Sequence, residues 1–153
     1  MATYDNRGVQ FRYPAEWELS EDEDDSGQTM VHVQSPATAY WSLTLTDGRQ
    51  QAEPLFDAVA DALGSEYGEL DQHTPEITDP IAGHAAVART FEFVVHELPV
   101  VAEARVVWID EDNDAAAART ALVLWQYADA EAEEVETLLE RMTASIQTQP
   151  LAA

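Results

Sequence analysis

The run Ala121-Leu122-Val123-Leu124-Trp125 carries no polar side chain. Successive side chains of a strand point to opposite faces. A strand of this composition is therefore apolar above and below, and belongs in the middle of a sheet covered on both sides. The stretch Arg119 to Tyr127 is accordingly expected to be a central strand. Two long strands precede it, His84 to Leu98 and Val100 to Ile109. Pro99, which lacks the N–H a ladder uses, is read as the break between them. The acidic cluster Asp110 to Asp114 separates the second from the third.

Upstream, Val9-Gln10-Phe11-Arg12-Tyr13 alternates apolar and polar residues and stops at Pro14, a short strand with its breaker. Trp17 and Leu19 continue at period two. Glu21 through Gly27 reads as a like-charge turn. Thr29 to Ser35 and Tyr40 to Thr46 are expected to form a hairpin, with Trp41, Leu43 and Leu45 on one face of its second strand. Pro54 suits a first helical position. After it, Leu55, Phe56, Val59, Ala60, Leu63 and Tyr67 recur at helical spacing as far as Gly68, a helix stop. Asp79-Pro80-Ile81-Ala82-Gly83 reads as a turn. A last helix is expected with Asp129 as its cap and Glu131, Glu133 and Glu134 in the first turn, where the dipole favours anions. Its buried stripe is Val135, Leu138, Leu139, Met142 and Ile146, with Arg141 near its end. These elements predict an α+β fold, a three-layer α/β/α sandwich around a central antiparallel sheet. The expected domain covers residues 1–147, with a frayed tail over 148–153.

Charge narrows the partners. Asp and Glu number 30 against 7 Lys plus Arg, a net charge of −23, and every one of the seven cations is Arg. Such a surface repels nucleic acid phosphates and anionic lipid. An acidic surface without Lys resembles the proteins of halophiles that keep molar salt in the cytoplasm. With no Cys there is no disulfide framework and no thiolate chemistry. No apolar run reaches the roughly 20 residues of a membrane span. Met1 to Arg7 lacks a basic segment followed by an apolar one, so a cytoplasmic location without membrane insertion is expected.

Three segments carry a resemblance. Gly8-Val9-Gln10-Phe11-Arg12-Tyr13-Pro14-Ala15-Glu16-Trp17 resembles the opening of the PsbP/Mog1-like families, a strand reading "gv-x-F-x-Y-P-x-x-W". Ile81-Ala82-Gly83-His84-Ala85-Ala86 is similar to their "i-x-G-x-x-A" turn before a long meander. The closing helix with Leu138, Leu139, Ser145 and Ile146 resembles their "il-x-S-i" ending. The nearest branch in this respect is the bacterial DcrB-like proteins, many of which carry lipoprotein signals; no such signal is expected here. The resemblance implies protein interaction more than catalysis, since such relatives include photosystem accessory subunits and a partner of a nuclear-transport GTPase.

The candidate sites read as structural. Tyr13, Pro14 and Trp17 are expected to anchor the core rather than stack on a ligand. Asp110, Asp112 and Asp114 have the spacing of a calcium loop's first ligands, but Ala115 and Ala121 stand where such a loop needs Gly and Glu. His32, His73, His84 and His96 form no close pair. His96 and Glu97, read as strand neighbours, point apart, whereas His73 and His84 flank a turn and are a pair to look for in space. There is no Gly-x-Ser-x-Gly elbow, Cys nucleophile, Lys for a Schiff base or Gly-rich phosphate loop. No residue is therefore assigned a catalytic, cofactor-binding or metal role. The expectation is a non-catalytic protein-binding or scaffold module adapted to high salt, with a protein partner and homodimerisation left open. The alternatives are a cytoplasmic chaperone of the DcrB-related type that escorts apolar segments of secreted effectors, and an enzyme of unknown chemistry.

Overall fold

The computed structural model describes residues 1–6, 8–23, 28–109 and 118–148. The chain runs β1 (Ala2–Asn6), β2 (Val9–Tyr13), β3 (Glu18–Glu23), β4 (Thr29–Gln34), β5 (Tyr40–Asp47) and α1 (Ala52–Tyr67). There follow β6 (Asp71–Gln72), β7 (Glu76–Ile81), β8 (His84–Val95), β9 (Leu98–Ile109), β10 (Arg119–Ala128), a 3-10 turn (Asp129–Glu131), α2 (Ala132–Ala144) and β11 (Gln147–Thr148). The fold is α+β. The main sheet has the order β3-β4-β5-β10-β9-β8-β6, with β7 also paired to β8, and its ladders are antiparallel.

The apolar run sits where its composition demands. β10 lies between β5 and β9 in the middle of the order. Ala121, Val123, Trp125 and Tyr127 enter one core cluster with Val31, Val33, Trp41 and Leu43. Leu122 and Leu124 belong to a second cluster, with Phe91, Phe93, Ala102, Ala104 and Val106. The two helices divide between them. Phe56, Val59, Ala60 and Leu63 of α1 join the second cluster, and Val135, Leu139 and Met142 of α2 join the first.

The connection explains where α1 lies. The chain leaves β5 in mid-sheet and must reach β6 at the far edge before β8 and β9 return it to β10. A helix making that journey crosses the strands in between, and its apolar stripe closes on β8 and β9. Pro54 is the third residue of α1, not the first; its missing N–H still falls among the donors that lack an intrahelical partner. Gly68 ends the helix with φ +92, and its N–H bonds the Gly64 carbonyl at 2.9 Å.

Several local expectations are corrected. β1 and β11 were not foreseen; with β2 they make a separate three-stranded sheet. That sheet brings Tyr4, Val9 and Phe11 into the α2-side cluster, with Phe11 4.6 Å from Trp41 between ring centroids. Trp41 donates from Nε1 to buried Thr143 at 3.0 Å, tying β5 to α2. Glu21, Asp22 and Glu23 belong to edge strand β3 rather than a turn; acidic side chains suit an edge because they discourage pairing with another chain. Residues 24–27 lie outside the described residues.

The turn before the meander is also shorter than expected. Asp79, Pro80 and Ile81 are in β7, and the reversal is made by Ala82 (φ +53) and Gly83 (φ +81). The β8–β9 hairpin turns at His96 (φ +49) and Glu97 (φ +69), not at Pro99, which pairs with Val94. Pro99 is tolerated because the β10 ladder begins only at Val100, leaving no partner for an N–H there. Asp129 belongs to the 3-10 turn and does not cap α2, whose N-cap is Glu131. In β11, Gln147 pairs with Gln10 and Thr148, the first residue of the expected tail, with Val9; residues 149–153 lie outside the described residues.

Candidate functional site

α1 covers only part of its side of the main sheet. Its stripe packs onto β8 and β9, where Ala102 and Ala104 let it approach closely. The flank turned toward β10 and β5 carries Ala58 and Ala62, too short to reach the strands. A cleft of about 480 Å³ results, floored by Leu122 and Leu124 and walled by Leu55, Val59, Tyr67 and Glu66 of α1. Tyr40 and Gln126, cross-strand partners, close its other side.

Tyr67 stacks on Phe93 with centroids 4.7 Å apart and stands at a junction. Beyond it opens a second cleft, of about 630 Å³, with Glu69, Asp71, Glu92 and Asp129 among its lining residues. A third, smaller hollow of about 210 Å³ shares Tyr67 and Gln126 and is lined by Val95, Leu98 and Val100. Val94 and Leu98, at the hairpin tip, are exposed.

One polar chain borders the first cleft. His32 on β4 contacts the Tyr40 hydroxyl through Nδ1, and its Nε2 lies 3.4 Å from Asp22 Oδ2 on β3. Register pairs His32 with Ser42 and Gln34 with Tyr40, so His32 and Tyr40 are diagonal neighbours on one face. Burial holds the Tyr40 phenol above its ordinary value, opposed by a hydrogen bond from Ser42 and reinforced by the Asp22 charge. This grouping was missed because none of the three is unusual alone. The signal was the hairpin register, which places positions 32 and 40 on the same face.

The opposite face holds a second polar group. Arg105 bonds Glu103 at 2.6 Å and Glu140 of α2 at 2.7 Å, and its guanidinium lies 4.7 Å from the Trp125 ring centroid. Burial raises the Glu103 carboxyl above its usual range, against the pull of Arg105. Tyr127 nearby is pushed up to about 12, by burial first and then by the charges of Glu136, Glu103, Asp129 and Glu140.

The other singled-out residues scatter. Trp17 is buried, its backbone N–H donating to the Pro14 carbonyl at 3.0 Å, and Tyr13 packs half-buried beside Phe11. His73 bonds Glu92 at 2.8 Å while His84 bonds Thr148 at 2.9 Å, so these two serve different partners. His96 and Glu97 are turn residues rather than strand neighbours. Asp110, Asp112 and Asp114 lie outside the described residues. Among the described residues, no group of three or more His, Cys, Asp or Glu is placed to hold a metal ion, and no helix is long and apolar enough to cross a membrane.

No protein-family model and no curated protein matches the chain. Solved structures do. One is LpqN of Mycobacterium tuberculosis, involved in cell envelope biogenesis: TM-score 0.56, 11% identity, covering 97% of this chain and 90% of that one. Another is PA94 of Pseudomonas aeruginosa, a protein of unknown function: TM-score 0.55, 15% identity, covering 98% of each chain. At these identities the chain shares their fold along nearly its whole length, and the likeness is one of fold alone.

Proposed function

We propose that this chain is a non-catalytic binding module that holds an apolar segment of a partner protein in the cleft beside α1. The observation that carries the reading is the cleft itself: Leu122 and Leu124 belong to the central strand yet stay half-buried, because the short side chains of Ala58 and Ala62 leave them uncovered. An apolar side chain placed there would remove surface from water at about 25 cal/mol per Å². The fold reading that goes with it is a three-layer α/β/α sandwich of the PsbP/Mog1-like type, closest to its DcrB-like branch. It is supported by the two helices joining different core clusters. The envelope role of LpqN is a second context in which such a module would act.

The same cleft favours a chaperone as the second reading, since a chaperone of apolar segments needs an open apolar groove. The test is binding of fluorescent peptides with a Leu-Ala core, by anisotropy, to the wild type and to Ala62→Trp, which fills the cleft from an exposed position. Binding that weakens by about tenfold or more, some 1.4 kcal/mol, supports the reading. Equal binding by both proteins overturns it. Suppression of aggregation of an apolar client at substoichiometric peptide competition would separate the chaperone from a fixed-partner scaffold.

A further inference from the structure

The charged side chain bordering the apolar cleft, Glu66, is an acceptor, and so is the Tyr40 oxygen; Gln126 and Tyr67 are neutral and both donate and accept. Asp22 is a carboxylate and accepts only, so the His32 nitrogen facing it, Nε2, carries the ring proton in the neutral imidazole. Nδ1 is then a lone pair, and the Tyr40 hydroxyl that contacts it must donate its single proton there. Burial keeps that proton on the phenol. Toward the cleft, the Tyr40 oxygen offers only lone pairs, and Ser42 beside it can take up one of the two. Glu66, on the α1 wall, is likewise an acceptor. Past Tyr67 the neighbouring cleft has Glu69, Asp71, Glu92 and Asp129 among its lining residues, with no Arg or Lys among them.

An apolar body with an anionic head finds only the neutral donors of Gln126 and Tyr67, with no Arg or Lys in the lining, and meets repulsion from the carboxylates. A donor-bearing cation finds acceptors at the mouth of the cleft and more beyond it. We infer that the partner segment is basic, an Arg or Lys flanking its apolar residues being received by the Tyr40 oxygen and the Glu66 carboxylate. The inference rests on the cleft being the binding site. Arg fits better than Lys, because its planar fork can give two N–H donors to the Glu66 carboxylate and stack on Tyr67.

The experiment uses labelled peptides sharing one Leu-Ala core, flanked by Arg, Ser or Glu, titrated by anisotropy at mildly alkaline pH. The Arg-flanked peptide should bind about tenfold or more tighter than the Ser-flanked one, with the Glu-flanked one weakest, and added KCl should narrow the gap. Tyr40→Phe and Glu66→Gln should each reduce the Arg-over-Ser preference by about threefold or more. Glu16→Gln, an equal change of net charge in the exposed turn between β2 and β3, should leave it in place. Equal binding of Arg- and Ser-flanked peptides overturns the inference while the cleft reading stands. So does an equal effect of Glu16→Gln and Glu66→Gln, which would assign the preference to the net charge of the whole surface. Failure of all three peptides to bind, or indifference of all three to Ala62→Trp, overturns both.

Discussion

Arg105 shows how one side chain joins layers. It stacks on Trp125 of β10, bonds Glu103 on its own strand, and reaches Glu140 on α2. Removing it leaves a half-buried Glu103 carboxylate without its cation, which is the costly way to break such a pair. Arg105→Ala should lose about 2–3 kcal/mol in urea denaturation, and Arg105→Lys should lose less, keeping the charge but not the fork or the stacking. Tyr127 gives a pH readout on the same face. Its phenol stays protonated in the folded chain from its ordinary value of 10.0 up to about 12, whereas the unfolded chain has already released that proton. The unfolded state then binds fewer protons, so stability falls as pH rises through this window, by on the order of 2 kcal/mol for this group. An ultraviolet titration should show a late-ionising component that shrinks in Tyr127→Phe, while the Tyr40 phenol, also held above its ordinary value, stays. Residue identity alone shows neither effect, because both depend on which carboxylates the fold gathers.

At the scale of elements, the long apolar and alternating runs were legible. β2, β4, β5, β8, β9, β10 and both helices fall on the expected segments, because each has enough buried positions for its period to appear. β1, β6 and β11 were not legible: β1 buries Tyr4 alone, and β6 and β11 are two residues each. Their pairing is dictated by neighbours rather than by their own pattern. The turns were misread for a related reason. Pro99 looks like a break, yet the reversal is at His96-Glu97, where both residues take positive φ without being Gly. Tight hairpins of this kind prefer Asn-Gly. The double replacement His96→Asn with Glu97→Gly should stabilise the chain by about 1 kcal/mol, read as a higher unfolding temperature. At the other extreme, Val123→Asp would bury a charge at a fully enclosed point of β10, and should cost about 4 kcal/mol or more, or abolish folding.

For the whole molecule, the governing quantity is the net charge of −23. Carboxylate repulsion is felt more strongly in the compact state than in the expanded one, and salt screens it. The unfolding temperature should rise steeply in a KCl series and keep rising toward about 1 M, where the Debye length is near 3 Å. Circular dichroism melts would check this. A plateau above roughly 0.2 M would mark an ordinary acidic protein and remove the high-salt reading. Chloride is the right anion, because sulfate and phosphate strengthen apolar burial by themselves.

What the sequence by itself determined was the centre and the surface. A strand apolar on both faces has to be central, with apolar side chains packed above and below it, and carboxylates excluded from the apolar periodicity have to face water. These follow from local period and from the cost of burying charge, which need no knowledge of distant residues. The tertiary structure alone decided that a second small sheet shares a core cluster with α2. It decided that α1 leaves part of β10 bare, because that depends on where a crossover lands and on the reach of Ala58 and Ala62. It alone brought Asp22, His32 and Tyr40 together from three strands, since the strength and direction of a hydrogen bond depend on register and distance, which a linear pattern does not contain.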